Sequence, residues 1–380
     1  MTSAEERRGC GSCPGGEEAH YYGGQAVMEG VMMRGTDRYA VAVRRADGEV
    51  VLGEQPISNF ADRHPWAKWP LIRGNVGLID GLALGMKALF WSADVLTQEE
   101  RERLAAEKAA EAADAPDADP AAQSPAEPAS GPEPQKGLDA VAKWVTIAIS
   151  FAVAICVFVL LPTWAVDWFS HDVETGTAWW TWDKILRNVV EGGIRLAVLL
   201  LYIVAISRMQ YVSRLFQYHG AEHAAINCYE AGEAVTPANV IRYSTLHPRC
   251  GTAFLFVVII VKVILGWFFG WPELGLRLVI RFGLLPVVAG IGYEVIRWAG
   301  RHRDSSLSRV LAAPGMLMQR LTTQKPDEEQ AEVAIYALAA VAPEVGLPAE
   351  LPEARRLPIP LIPKTEPDTE PAASGGADAP

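Results

Sequence analysis

The sequence predicts a mainly α-helical integral membrane protein, with about four transmembrane helices and a small cytoplasmic β-containing unit at its N-terminus. Residues 144–166 carry no charged side chain and are bounded by tryptophans, as expected of a helix that crosses a bilayer. Three further apolar stretches follow, at about 189–207, 253–271 and 282–298. Ahead of them, two apolar runs flank Asp47-Gly48, the pattern of a β-hairpin whose glycine supplies a positive φ.

Composition divides the chain into six segments. They are a flexible leader at 1–20, a cytoplasmic β-hairpin unit with a Gly-striped helix at 21–98, a disordered acidic Ala/Pro linker at 99–136, a transmembrane domain at 137–323, a C-terminal amphipathic helix at 324–342 and a disordered tail at 343–380. The linker has too few large apolar side chains to offset its ordering entropy. The acidic residues at 327–329 precede an apolar run, which predicts a helix beginning there.

The predicted helix at 71–96 carries Gly77, Gly81 and Gly85 at every fourth position. Such a stripe gives a smooth face on which another helix can approach closely, and it is a candidate surface for a protein partner. The charged side chains of Asp80, Lys87 and Asp94 disfavour a plain transmembrane span. We therefore expect an interfacial or protein-packed helix, with an ordinary core helix of a soluble unit as the alternative.

Charge is unevenly distributed. The net charge is −11, and the acidic excess lies in 99–134 and 326–380, so the remainder is slightly basic. No Lys/Arg-rich stripe with interleaved aromatic residues is present, so a nucleic-acid partner is not expected. Arginines concentrate between the second and third spans and after the fourth. The positive-inside rule then predicts a multi-pass membrane protein with both termini in the cytoplasm.

The five cysteines do not resemble a disulfide framework, because their number is odd, they are scattered, and no secretory signal opens the chain. Cys10 and Cys13 form a lone C-x-x-C in a Gly-rich leader, which is a weak signal for metal or redox chemistry without a second ligand pair.

The stretch from His219 to His223 is the strongest chemical signal in the chain. If it is helical, the two imidazoles share one face and Glu222 lies beside them. Two neutral imidazoles can hold a divalent metal, with zinc as the candidate ion. The H-x-x-E-H order is the inverse of the zincin pattern, in which the carboxylate is the general base. The alternative is a His pair that only packs and hydrogen-bonds carbonyl groups.

Further ligands must complete such a site. His247 and Cys250, just before the third span, offer an imidazole and a thiol, and Glu294 near the end of the fourth span offers a carboxylate. Binding by both His247 and Cys250 would give a closed structural His₃Cys site. Binding by Glu294 with one position left open would make hydrolysis plausible.

Several stretches together resemble the YqhQ-like family of bacterial membrane proteins, which carry a domain of unknown function and are described as predicted metal-dependent enzymes. They are GGQAVMEGVMMRG (23–35), FQYHGAEH (216–223), HPRCGT (247–252), LLPVVAGIGYE (284–294) and the Leu-Thr-Thr-x-x-Pro-Asp segment at 321–327. The resemblance implies a bacterial plasma membrane protein. This chain departs from the family's pattern at Ala224-Ala225, where Lys-Thr is more usual, and in the length of its Ala/Pro linker.

The leading hypothesis is a metal-dependent hydrolase with His219 and His223 as ligands and Glu222 as general base. The rival is a non-enzymatic membrane scaffold or assembly factor in which the same cluster is structural, and in which the glycine stripe or the C-terminal helix binds other proteins. A transporter using Lys262 and a Glu191–Arg195 pair is a weaker third hypothesis.

Overall fold

The computed structural model describes residues 22–57, 60–113, 136–169, 181–302 and 305–359. The leader with Cys10 and Cys13, the centre of the linker and the tail from 360 lie outside these ranges. The strands are β1 (Gly23–Val27), β2 (Gly30–Arg34), β3 (Arg38–Arg44), β4 (Val50–Pro56) and β5 (Arg355–Arg356). The helices are α1 (Phe60–Arg63), α2 (Ile72–Ala113), α3 (Lys136–Ile155), α4 (Leu161–Phe169), α5 (Trp182–Ile206), α6 (Gln210–Glu230), α7 (Pro237–Val240), α8 (Thr252–Phe269), α9 (Leu274–Gly283), α10 (Leu285–Arg301), α11 (Ser306–Thr322) and α12 (Glu328–Val341). A 3-10 turn (Pro65–Lys68) precedes α2, and a π-helical segment (Cys156–Leu160) joins α3 to α4.

The small N-terminal sheet is present, with its strands in the order β1-β2-β3-β4-β5. The first four strands pair antiparallel, and β5 pairs parallel to β4. The hairpin expected at Asp47-Gly48 joins β3 to β4, and Gly48 has the positive φ of 89° that such a turn requires.

Both faces of the sheet are covered by other elements of the chain. On one face Val31, Met33, Ala40, Ala42 and Leu52 pack against α6 and α12. On the other face the intervening residues pack against α2 and Ile359: Met32, Val41, Val43 and Val51. The strands are therefore apolar almost without interruption, which is the pattern of strands buried on both sides.

The C-terminal segment belongs to this unit. Helix α12 begins with a capping box, in which the Asp327 side chain accepts from the Gln330 backbone N–H at 2.8 Å and the Gln330 side chain accepts in return at 3.1 Å. Its apolar face lies on the sheet of the same chain. Residues 343–359, expected to be disordered, add β5 and bury Ile359 against the sheet. Residues 99–113, assigned to the linker, instead continue α2.

Among the described residues, four helices are long and apolar enough to cross a membrane: Ile72–Glu107, Ala148–Phe169, Trp182–Ile206 and Thr252–Phe269. A fifth follows if α9 and α10, bent by 43°, count as one span. The bend falls at Leu284, two residues before Pro286. Three of the four overlap predicted spans, and the predicted fourth span, at about 282–298, falls in the bent pair. Helix α2 is also long and apolar enough to cross a membrane, although an interfacial or protein-packed helix was expected there. Its central turns do pack against the sheet, through Ala88, Trp91 and Val95.

Two of the three glycines of the α2 stripe lie next to other parts of the same chain. A Cβ on Gly77 would lie 3.8 Å from the ring of Tyr293 in α10, and a Cβ on Gly85 would collide with the Gln25 side chain of β1. Only at Gly81, of these three glycines, would a Cβ meet open space.

A polar cluster lies among the apolar helices. Glu191 is 2 % exposed and accepts hydrogen bonds from Thr163 at 2.9 Å, Arg195 at 2.7 Å and Arg281, while the Lys262 ammonium lies 3.9 Å away. The Glu191–Arg195 pair is the one that the sequence spacing predicts. Because unpaired charges are costly in an apolar environment, this carboxylate is expected to hold four helices together, α4, α5, α8 and α9.

Candidate functional site

Helix α6 presents the two histidines of the H-x-x-E-H stretch one turn apart. The ring centroids of His219 and His223 are 4.4 Å from each other, and His223 is 1 % exposed. The helical spacing that the sequence suggested is therefore present.

Each imidazole is oriented by a backbone carbonyl from another part of the chain. His219 Nδ1 lies 2.8 Å from the Thr322 carbonyl oxygen, and His223 Nδ1 lies 2.7 Å from the Thr245 carbonyl oxygen. A carbonyl oxygen can only accept, so each Nδ1 must carry the hydrogen. Each Nε2 then keeps its lone pair, which is the arrangement found for histidines that bind metals.

Cys250 completes a three-residue group with these rings. Its Sγ lies 3.3 Å from His219 Nε2 and accepts a hydrogen bond from Thr252 Oγ1 at 3.3 Å. One donor atom each from His219, His223 and Cys250 lies within 4.8 Å of the others. The group joins α6 to the start of α8, and the Thr322 carbonyl brings the end of α11 to it.

Glu222 lies beside this group but faces the sheet. It is 4 % exposed, and a Cβ on Gly24 of β1 would lie 3.0 Å from its Cδ. Burial raises the pKa of Glu222 to about 7, against the opposing effects of His219 and of a hydrogen bond from the Gly24 backbone. Its Oε2 has no hydrogen-bond partner among the described residues. A buried carboxyl that titrates near neutrality is suited to general acid–base chemistry.

His247 is a neighbour of the group and not a member of it. Its ring centroid lies 5.7 Å from that of His223, but its Nε2 lies 3.7 Å from a carboxylate oxygen of Glu230. Burial lowers the pKa of His247, although its interaction with the Glu230 carboxylate acts in the opposite direction. The backbone N–H and C=O of His247 are both held by the Gln319 amide at 2.8 Å. These contacts fix the loop that carries Cys250.

Glu294 is held elsewhere. Its carboxylate accepts two hydrogen bonds from Arg73 of α2, of which the Nε–Oε1 distance is 2.6 Å. Of the five residues predicted as metal ligands, the structure thus brings together His219, His223 and Cys250, leaves His247 at their edge, and uses Glu294 to join α2 to α10.

The sequence reasoning missed the groups that orient the histidines, because a backbone carbonyl has no residue-type signature. It also missed Arg214, whose guanidinium binds the Glu29 carboxylate through two hydrogen bonds. Glu29 lies at the β1–β2 turn with a φ of 47° and also accepts a bond from Tyr218 at 3.2 Å. For Thr322, whose carbonyl orients His219, one signal was available: the Leu-Thr-Thr segment at 321–323 is among the stretches that carry the family resemblance.

The fold and site define a mainly helical protein in which a sheet covered on both faces supports a His₂Cys group at the edge of a set of apolar helices. The family model described as "Protein of unknown function (DUF1385)" matches residues 69–344. The "Uncharacterized protein YqhQ" of Bacillus subtilis (strain 168) is 33% identical over 318 residues, covering 83% of this chain and 90% of that protein. The chain belongs to this family. No solved structure matches it.

Proposed function

We propose that the chain is a multi-pass protein of a bacterial plasma membrane with both termini and the H-x-x-E-H helix on the cytoplasmic side. The apolar helices support insertion, and the arginines that follow α5 and α10 support this orientation. The spans are α3–α4, α5, α8 and the bent pair α9–α10. Helix α2 is left out of this set because its central turns, from Ala88 to Val95, pack on the sheet.

We further propose that the protein is a divalent-metal-dependent hydrolase, with zinc as the ion. The observation that carries the proposal is the convergence of His219, His223 and Cys250. Two nitrogens and one thiolate sulfur form a donor set that zinc favours, and three protein ligands are typical of zinc sites that keep one position open. When bound, such an ion supplies Lewis acidity for hydrolysis.

The chain's own residues supply the remaining functions. The carbonyls of Thr245 and Thr322 hold both imidazoles in the ligand tautomer. Glu222 is the general base, and its Oε2, which lacks a partner in the described part of the chain, is the atom that takes the proton. Strand β1 of the sheet lies against this carboxyl, which is almost fully buried and therefore shielded from water.

The second candidate function is a membrane scaffold in which the same cluster is structural. It is favoured by the fact that the two imidazoles already tie α6 to the loop before α8 and to the end of α11. The partner surface in this case is the α2 face around Gly81, where Leu78, Ile79 and Leu82 are exposed. The apolar face of α12 is covered by the sheet, so it lends less support to a partner there.

Metal analysis of detergent-purified protein tests the first proposal. We expect about one zinc per chain, and its loss in His219→Ala/His223→Ala. The matched control is His64→Ala/His302→Ala, which removes two imidazoles away from the site and should keep the metal. Full zinc occupancy in the His219/His223 double variant would rule out this site.

Glu222→Gln separates the hydrolase from the scaffold. The substitution keeps the size of the side chain and removes its ability to take a proton. A hydrolase should retain zinc and fold but lose hydrolysis of a panel of ester, amide and phosphoester substrates. A scaffold shows no metal-dependent hydrolysis in either form.

A further inference from the structure

A cavity of about 740 Å³ lies between the start of α8, the end of α10 and the start of α11. It is separate from the His₂Cys group, although Pro248 and Arg249 in its wall directly precede Cys250. Its lining combines two kinds of surface. One part is apolar, and the other carries four arginines: Arg249, Arg297, Arg301 and Arg309.

Three of these arginines, Arg297, Arg301 and Arg309, form no salt bridge with another described residue. Arg297 attracts the Glu294 carboxylate electrostatically, although less strongly than Arg73 does. Glu294, one turn before Arg297, is already held by Arg73. Arg249 differs, because its guanidinium binds Glu230. The cavity therefore carries an excess of positive charge, and an anion is the ligand that would balance it.

A buried hydroxyl in the same wall also lacks a partner. Ser308 is 4 % exposed and lines the cavity, yet its Oγ makes no hydrogen bond with the described residues. Buried hydroxyls are normally hydrogen-bonded, so an unpartnered one beside arginines indicates an oxygen-bearing ligand. Ser308 lies in the first turn of the 17-residue helix α11, where the helix dipole also favours negative charge.

The apolar part of the cavity wall favours an amphiphilic anion over a free one. Val257 of α8, Val295 and Ile296 of α10 and Leu311 of α11 lie on it. A small hydrated anion gains nothing from such side chains, whereas acyl chains do. Basic pockets between membrane helices on the cytoplasmic side are suited to anionic lipid headgroups.

We infer that this cavity binds an anionic glycerophospholipid, with the phosphate diester at the arginines and Ser308 and the acyl chains along the apolar wall. The inference does not depend on the proposed hydrolase activity, since no residue of the His₂Cys group takes part.

Native mass spectrometry of the full chain released from mixed micelles tests it, with phosphatidylglycerol and phosphatidylcholine as probes. Wild-type protein should retain phosphatidylglycerol preferentially. The triple variant Arg297→Gln/Arg301→Gln/Arg309→Gln should weaken retention by roughly 100-fold, taking about fivefold for each arginine. The control triple Arg208→Gln/Arg242→Gln/Arg320→Gln removes the same charge on the same proposed side and should retain the lipid.

A second variant tests occupancy without changing charge. Ala312→Phe places a ring in the apolar wall and should reduce phosphatidylglycerol retention, while a thermal melt of both variants confirms that they fold. Equal retention of the two lipids by wild type, or equal losses in the two arginine triples, would overturn the inference. So would complete displacement of phosphatidylglycerol by inorganic phosphate, because a site for free phosphate has no need of the apolar wall.

Discussion

Gly220, which directly follows His219 in the H-x-x-E-H stretch, offers a direct test of how the site is assembled. A Cβ at this position would lie 1.9 Å from the carbonyl oxygen of Gln324 and 3.2 Å from Thr245 Cγ2. Gln324 cannot move freely, since its backbone N–H donates to the Phe216 carbonyl at 2.9 Å. Two residues before it, the Thr322 carbonyl orients His219. Gly220→Ala should therefore displace the segment that fixes a ligand.

Opposing effects decide whether Gly220→Ala raises or lowers the free energy of unfolding. Alanine gains about 1 kcal/mol over glycine within a helix. Displacing packed backbone costs about 1–3 kcal/mol, and the loss of the Gln324 hydrogen bond costs about 1 kcal/mol more. We expect a net decrease of about 1–3 kcal/mol in the free energy of unfolding, together with reduced zinc content because the His219 ring loses its carbonyl partner.

Gly81→Ala in α2 is the matched control, because a Cβ there meets nothing within 4 Å. It should raise the free energy of unfolding by up to about 1 kcal/mol through helix propensity alone and leave the metal in place. Denaturant unfolding in detergent and metal analysis are made on both variants. If Gly220→Ala is as stable as Gly81→Ala and keeps its zinc, the close approach of Gln324 does not support the site.

Three further predictions concern other contacts. Arg73→Gln should lower the free energy of unfolding by about 1 kcal/mol by releasing Glu294, but leave zinc content unchanged, as metal analysis would show. Asp327→Ala removes the N-cap of α12 and should cost about 1 kcal/mol in denaturant unfolding. Burial alone would raise the pKa of Glu230, but hydrogen bonds and charges from its neighbours bring that pKa from 4.5 down to about 2. Because the lowered pKa adds stability above pH 4.5 that is lost as pH falls towards 2, wild type should lose more stability over this range than Glu230→Gln in pH-dependent melts.

Local signals predicted local structure well. The positive φ of Gly48, the pairing of Glu191 with Arg195 and the shared helix face of His219 and His223 all follow from spacing within a few residues. Local spacing did not predict which distant residues join the two histidines. Cys250 and Glu294 were both suitable donors by residue type, and only packing shows that Arg73 takes the carboxylate while the thiol reaches the imidazoles.

The larger feature that was not predicted from the sequence is the burial of both faces of the sheet. Strands such as Gly30–Arg34 and Arg38–Arg44 lack the alternation of a half-exposed sheet, which was the available sign that both faces are buried. What the sequence could not supply was the identity of the covering elements. The two halves of the cover come from α2 and from α12, which lie more than 200 residues apart in the chain.

The pitch of α6 explains why motifs from opposite parts of the chain belong to one structure. At about 100° per residue, Glu222 falls between the helix face that carries Tyr218 and Ala225 and the face that carries His219 and His223. Tyr218 and Ala225 pack in the core between α6 and the sheet, so the Glu222 side chain lies against β1. There Gly24 leaves the space that its carboxyl occupies, since a Cβ would lie 3.0 Å from Glu222 Cδ. Gly24 is required first by the Met32 carbonyl oxygen of the neighbouring strand, with which a Cβ would collide. The space that it leaves also admits a carboxyl group almost two hundred residues later, so any chemistry at Glu222 depends on the sheet as much as on the histidines.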